Sequence, residues 1–253
     1  MHVAMQSIDE QYRAAAGVRD RREYKLFYSH IHPFPLLVLG QNPGGAEDGK
    51  HYVASNSYFE NWEHDFVCFR RNPEYSLAAP MCALLSQVLA THSADAVRQV
   101  PVTNVIFRRS QNTAALTLSP KAAAKEAKPY LELIIRAVAP KAILFISKTA
   151  YDLFAKLHCR PGSVVEQSAP RVFTPNGSSS ACIFLRAEGY VEILAKQIPL
   201  LMVGHPSKYA SRVEWQQAMN ELSASLRTLQ ISPIENTGAL RSVPELEGYE
   251  TSL

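Results

Sequence analysis

Leu36-Leu37-Val38-Leu39-Gly40-Gln41-Asn42-Pro43-Gly44 is the stretch on which the reading of the fold turns. Four apolar residues in a row, closed by a glycine, read as a short strand buried on both faces, as in parallel sheets. Asn-Pro-Gly after it is turn chemistry, because proline presets φ and glycine accepts conformations other residues avoid. The loop therefore sits at the carboxyl end of a buried strand. In open α/β sheets that end is where ligands bind.

Working outward, Val102 to Phe107, Ala142 to Ile146 and Leu200 to Val203 are further apolar runs that read as strands. Helical sequence lies between them. Pro80 opens a helix to Ala90, Ser119-Pro120 starts one that runs to Val138, and Thr149 to Leu157 makes a short one. Pro129 is expected to kink or split the second of these. Residues 7–29 read as an N-terminal helix opened by a capping box of Ser7 and Glu10. Ser211 and Glu214 form a second box, opening a helix to about Leu229. The stretch 160–180 is rich in Pro, Gly and Ser and reads as loop, with Cys182 to Leu185 a minor strand. Alternating strands and helices predict an α/β fold, a three-layer αβα sandwich around a mainly parallel sheet. One domain is expected over residues 1–230, with a polar, loosely ordered tail over 231–253.

Composition sets the outer bounds. Of the 253 residues 47% are hydrophobic and 19% charged, enough for a sizeable core. A net charge of +3 permits a nucleic-acid partner without requiring one. The four cysteines, Cys68, Cys82, Cys159 and Cys182, form no Cys-x-x-Cys pair, so reduced thiols are expected, with no metal and no cofactor. Asp9 and Glu10 argue against a signal peptide at the start, and no apolar run reaches membrane-span length. A soluble, cytoplasmic protein is the expectation.

Two loops carry candidate chemistry. After Gly44-Gly45 comes Ala46-Glu47-Asp48-Gly49-Lys50-His51, so Gly44-x4-Gly49-Lys50 approaches a phosphate-binding loop. His51 stands where such a loop needs a Ser or Thr for magnesium, and Glu47 and Asp48 would put negative charge in the cradle. Asn-Pro-Gly-Gly also suits a plain surface turn, yet this loop leaves a buried strand and carries the amides of Gln41 and Asn42. The other loop is Gly204-His205-Pro206-Ser207, again after an apolar run. Ser207, Lys208, Tyr209 and Arg212 supply the hydroxyl, cation and aromatic mixture that lies against a nucleic-acid backbone. A structural histidine and a solvated helix start are the plainer readings of the same residues.

Together the two loops resemble the signature motifs of the uracil-DNA glycosylase superfamily. Gly40-Gln41-Asn42-Pro43-Gly44 falls between two forms of its first motif, Gly-Gln-Asp-Pro-Tyr-His and Gly-Met-Asn-Pro-Gly. His205-Pro206-Ser207 matches the start of the second. Val102-Thr103-Asn104-Val105 is similar to the strand whose asparagine reads the base edge. Pro129-Tyr130-Leu131, then Ala139-Pro140-Lys141-Ala142-Ile143-Leu144, is similar to a helix and strand of the thermophile-type members. Those members hold an iron–sulfur cluster with four cysteines. Arg108 and Ala127 lie near two of those positions, so no cluster is expected.

The resemblance implies a monofunctional glycosylase with DNA as partner, acting on a nucleotide flipped from duplex or single strand. It implies His205 hydrogen-bonding the pyrimidine O2 as the base departs, with Asn104 on the Watson–Crick edge. Asn42 would orient the attacking water. It stands where the best-known branch has an aspartate, and an amide takes no proton at neutral pH. Asp48, Glu47 or Asp65 remains open as a carboxylate in its place. Gln41 and Tyr52 are expected to contact the base, Tyr52 by stacking or by mere packing. Gly44 replaces a tyrosine that excludes thymine's methyl, which points to uracil or a C5-substituted pyrimidine. A bulkier hydroxymethylated or glucosylated cytosine of phage DNA is the alternative, with an antiviral role. Two rivals differ in class: a non-catalytic DNA-binding relative, and a hydrolase of free nucleosides or nucleotides. The second predicts little salt dependence, whereas DNA binding weakens steeply as salt rises.

Overall fold

The apolar run after Pro35 forms β1 (Leu36–Gly40), buried along its whole length. The structure is a computed structural model that describes residues 2–18, 20, 23–44, 64–71, 75, 77–110, 116–168, 170–173, 181–206 and 213–229. The other strands are β2 (Val102–Asn104), β3 (Ala142–Phe145), β4 (Val165–Glu166), β5 (Arg171–Phe173), β6 (Ala181–Val191) and β7 (Lys196–Val203). They build one sheet in the order β2-β1-β3-β7-β6-β4, with β5 also paired to β6. Strands β2, β1, β3 and β7 run parallel. Each falls on one of the expected strands, though β2 stops at Asn104 rather than running to Phe107; a parallel strand covered on both faces shows no polar side.

The helices are α1 (His2–Ala15), α2 (Asp65–Cys68), α3 (Ala78–Val88), α4 (Ala94–Arg98), α5 (Pro120–Val138), α6 (Lys148–His158) and α7 (Val213–Thr228). Helix α5 packs on α1 and α6, whereas α3 packs on α2, α4 and α7. These are the two outer layers of the predicted αβα sandwich. Among the described residues no helix is long and apolar enough to cross a membrane.

Several local readings change. The N-terminal helix ends at Ala15, and Gly17 takes φ +63° while Val18 N donates to Arg13 C=O at 3.2 Å. Residues 24–29, Tyr-Lys-Leu-Phe-Tyr-Ser, are not the end of that helix but lie along the outer edge of β2, in keeping with their aromatic content. Lys25 N donates to Phe107 C=O, Tyr28 N to Val102 C=O, and Val102 N to Ser29 Oγ at 2.8 Å. That segment satisfies an edge strand that would otherwise be open. The Ser7 capping box does not form, because Ser7 is inside α1, where its Oγ accepts from Gln11 Nε2.

Helix α5 runs through Pro129 without splitting. Its apolar face, Ala123, Ala124, Ala127, Leu131, Ile134, Ile135 and Val138, is buried on both sides of the proline. Pro129 itself is exposed, so the unused carbonyl one turn earlier, at exposed Lys125, faces water. Packing offsets a penalty of about 3 kcal/mol that would end an isolated helix.

The expected minor strand at 182–185 is part of the 11-residue β6, which pairs antiparallel with β7. Arg186, Glu188 and Gly189 interrupt its apolar character, so the sequence pattern shows only the buried start. The expected loop at 160–180 contributes β4 and β5 to the same antiparallel wing.

Candidate active site at the carboxyl edge of the sheet

The chain passes from β1 to β2 through α2, α3 and α4, and from β2 to β3 through α5 on the opposite side. Because β2 and β3 flank β1, the connections leave β1 and β3 in opposite directions, forming a switch point. A crevice at the carboxyl ends of such strands is the usual ligand site. Gln41, Asn104, Ser147 and His205 all follow or end the four parallel strands on this edge.

Gly40 is in register with Asn104. A Cβ on Gly40 would lie 2.1 Å from Asn104 Oδ1 and 3.3 Å from its Cγ. The carboxamide thus fills the space a side chain at 40 would need, which makes glycine a requirement there. Its Nδ2 donates to the Tyr28 hydroxyl at 2.9 Å. Asn104 is buried, and its amide is held from both sides.

Tyr28 is itself supported. Its carbonyl accepts from Asp65 N at 2.8 Å, and Lys25 Nζ lies 4.4 Å from its ring centroid. Lys25 Nζ also donates to Asp65 Oδ2 at 2.6 Å, with both side chains buried. Burial lowers the Lys25 pKa and raises that of Asp65, and each partner pulls the other back toward its charged form. Asp65, weighed as an alternative catalytic carboxylate, is thereby engaged by Lys25 beneath Tyr28. Tyr75 lies beside the same carboxylate, and its hydroxyl pKa is raised by burial and by Asp65.

The loop after β1 is tied down by backbone and side chain. Val105 N donates to Gly40 C=O, Ile106 N to Gln41 C=O and Ser110 N to Pro43 C=O. Asn42 Nδ2 donates to Ser110 Oγ and to Pro43 C=O, each at 3.0 Å. With the nitrogen so engaged, Oδ1 is the Asn42 atom suited to accept from a water. Arg109 donates to Gly44 C=O, fixing the end of the described loop. A Cβ on Gly44 would meet nothing within 4 Å among the described residues. Ser147 caps α6 and donates from Oγ to Gln41 Oε1 at 3.3 Å, joining the β1 and β3 loops across the switch point.

Strand β7 lies next to β3, and Gly204 N donates to Ile183 C=O at 2.8 Å. His205 follows at this edge, half-buried, with Pro206 buried behind it. Three strand intervals of about 4.8 Å separate β2 from β7. Asn104 and the His205 loop are therefore at opposite ends of one row, with Gln41 and Asn42 between them.

Tyr52, Ser207, Lys208, Tyr209, Arg212, Glu47 and Asp48 lie outside the described residues. Tyr28, Ser110 and Ser147 were not singled out beforehand. Only Ser147 leaves a local trace, as a serine just before a helix. Among the described residues no group of three or more His, Cys, Asp or Glu is placed to hold a metal. None of the four cysteines is in a disulfide. Arg108 makes a two-pronged ion pair with Glu126, which also accepts from Tyr12 OH at 2.8 Å, and its Nη2 donates to Ala16 C=O. Ala127 is in the core.

Residues 31–227 match the family described as the uracil DNA glycosylase superfamily. That span is most of the chain and contains every parallel strand, so the protein belongs to the uracil DNA glycosylase superfamily. Membership supports a DNA glycosylase-type function, with hydrolase chemistry and DNA as the class of substrate. Among curated proteins none matches the chain.

Proposed function

We propose that this protein is a monofunctional DNA glycosylase that hydrolyses the N-glycosidic bond of a flipped-out uracil or C5-modified pyrimidine and leaves an abasic site. The observation that carries the reading is the row at the carboxyl edge of the sheet. Along it lie Asn104 at the end of β2, the Asn42 loop after the adjacent β1, and His205 after β7, with β3 between β1 and β7.

Cleavage of the glycosidic bond builds positive charge on the deoxyribose and negative charge on the departing base. Rate comes from groups that stabilise those charges more in the transition state than before it. The target nucleotide first leaves the stack. Asn104 reads the Watson–Crick edge of the base, and Gln41 supports it from the β1 loop. His205 hydrogen-bonds O2 as negative charge gathers there. Asn42 Oδ1 accepts from the water that attacks the sugar at C1′. With no carboxylate at position 42, the bond to the base breaks well ahead of bond formation to water. After attack the water's second proton passes to bulk water, and the departed base anion takes one up in turn, so that OH ends on C1′ and H on the base. Tyr52 would stack on the base, and Ser207, Lys208, Tyr209 and Arg212 would press on the DNA backbone and fill the gap.

That no atom of the described residues lies within 4 Å of a Cβ at Gly44 favours a second, narrower version: a C5 substituent as large as hydroxymethyl, or a glucosylated hydroxymethylcytosine of phage DNA, with defence against phage as the role. Incubation with oligonucleotides carrying uracil, 5-hydroxymethyluracil or glucosylated hydroxymethylcytosine separates the two. Abasic sites at the glucosylated base support the defence role. Abasic sites at uracil alone contradict an open C5 side.

A further inference from the structure

We infer that Ser110 is a positioning residue for the hydrolysis, which pins the amide of Asn42 so that its oxygen stays turned toward the attacking water. The inference rests on the glycosylase reading and deepens it. A carboxamide has an oxygen that accepts and a nitrogen that carries two hydrogens, and half a turn about its last bond exchanges the two ends. An amide that orients water through its oxygen loses that function in the turned state.

The orientation is decided here by a group that cannot change roles. Asn42 Nδ2 donates to Pro43 C=O at 3.0 Å. A carbonyl oxygen only accepts, so after half a turn Oδ1 would face it with no hydrogen between two acceptors. The nitrogen therefore points to Pro43, and the hydroxyl on its other side has to accept. Ser110 Oγ takes that second hydrogen, also at 3.0 Å. The carbonyl thus sets which end is which, and Ser110 adds the second anchor. An amide held by one bond swings about it, whereas one held by two does not.

Ser110 is itself well held. It is buried, and its N donates to the same Pro43 C=O at 3.1 Å. Beside it, Arg109 donates to Gly44 C=O, and Arg109 N donates to Glu23 C=O at 2.8 Å. Residues 109 and 110 follow β2, the strand that ends in Asn104. The segment that leaves the base-reading strand therefore also anchors the residue that holds the water.

Ser110→Ala removes the hydroxyl and keeps the bond from the N of residue 110 to Pro43 C=O. Steady-state kinetics on the pyrimidine that the wild type excises fastest, with circular dichroism on the same sample, form the first arm. The expected result is a fall of about tenfold in kcat, the size of one hydrogen bond, with KM within about twofold of the wild type. An unchanged kcat in the folded variant, or an effect on KM alone, overturns the inference.

The second arm needs no turnover. A carboxylate has no hydrogen to give, so in Asn42→Asp the Ser110 hydroxyl turns and donates to it. The pKa of the introduced carboxyl is read by carbon-13 NMR of aspartate-labelled protein, in Asn42→Asp and in Asn42→Asp with Ser110→Ala. The expected result is a pKa about one unit higher in the double variant, because a donor to the charged form has been lost. Equal pKa values mean that the hydroxyl does not hold the side chain at 42, and overturn the inference. A wild type that excises no base, with that shift present, defeats the glycosylase reading and leaves the hold of Ser110 on position 42 standing.

Discussion

The carboxamide of Asn104 occupies the space above Gly40 where a Cβ would lie 2.1 Å from its Oδ1. The two residues are exact neighbours in the β1–β2 register. The smallest possible side chain at 40 therefore has to move that amide.

Gly40→Ala is expected to keep the fold, because the obstructing atom is the end of a side chain rather than backbone. It should lower kcat/KM by about a hundredfold, the usual cost of misplacing a reactive group by an ångström. Steady-state kinetics with circular dichroism on the same sample checks this. Wild-type activity in a folded Gly40→Ala protein would mean that Asn104 does not read the base.

Lys25 and Asp65 form a buried pair below Tyr28. Lys25→Met leaves a buried carboxylate without its cation, and the expected loss is about 3–5 kcal/mol by urea denaturation. Lys25→Met with Asp65→Leu removes both charges and should recover most of that loss. If the double variant is as unstable as the single one, the pair is not the source of the effect.

Stability should also depend on pH in a defined window. His158 stacks on Phe154 at 4.8 Å, and burial lowers its pKa from 6.5 to about 4, against the pull of Glu132. Burial lowers His64 to about 3. Both are neutral in the folded protein at pH 7, whereas in the unfolded chain each takes up a proton near its ordinary pKa. Between these values the unfolded state binds more protons, so stability is full above about pH 6.5 and falls as the pH drops toward 4. The His158 share is about 3 kcal/mol across the window. Urea titrations at pH 7, 6 and 5 should show this slope, and His158→Phe should reduce it. A variant with the wild-type slope would place the effect elsewhere.

The parallel core was legible because β1, β3 and the second half of β7 are apolar and glycine closes or follows two of them, at Gly40 and Gly204. The β6–β7 wing was only partly legible, because β6 alternates between buried and half-exposed positions and carries charge. Residues 24–29 were included in a helix that ends at Ala15; their backbone bonds go to residues 102–107, and that pairing leaves no local pattern. The same reason divides the site. Asn42, Asn104 and His205 are visible as polar residues at strand ends. Tyr28 and Ser110 reach Asn104 and Asn42 from 76 and 68 residues away in sequence, and Ser147 reaches Gln41 from 106. Long-range contacts of that kind become visible only once the sheet order is known.

The central claim is catalytic removal of a base by the row of Asn104, Asn42 and His205. It is tested most directly by counting abasic sites in duplex and single-stranded oligonucleotides carrying uracil or 5-hydroxymethyluracil, with His205→Ala beside the wild type. The account predicts abasic sites with the wild type and a loss of about 10²–10³-fold with His205→Ala, as for removal of a donor to developing negative charge. DNA binding without abasic sites, unchanged in His205→Ala, would contradict it and leave a non-catalytic member of the superfamily.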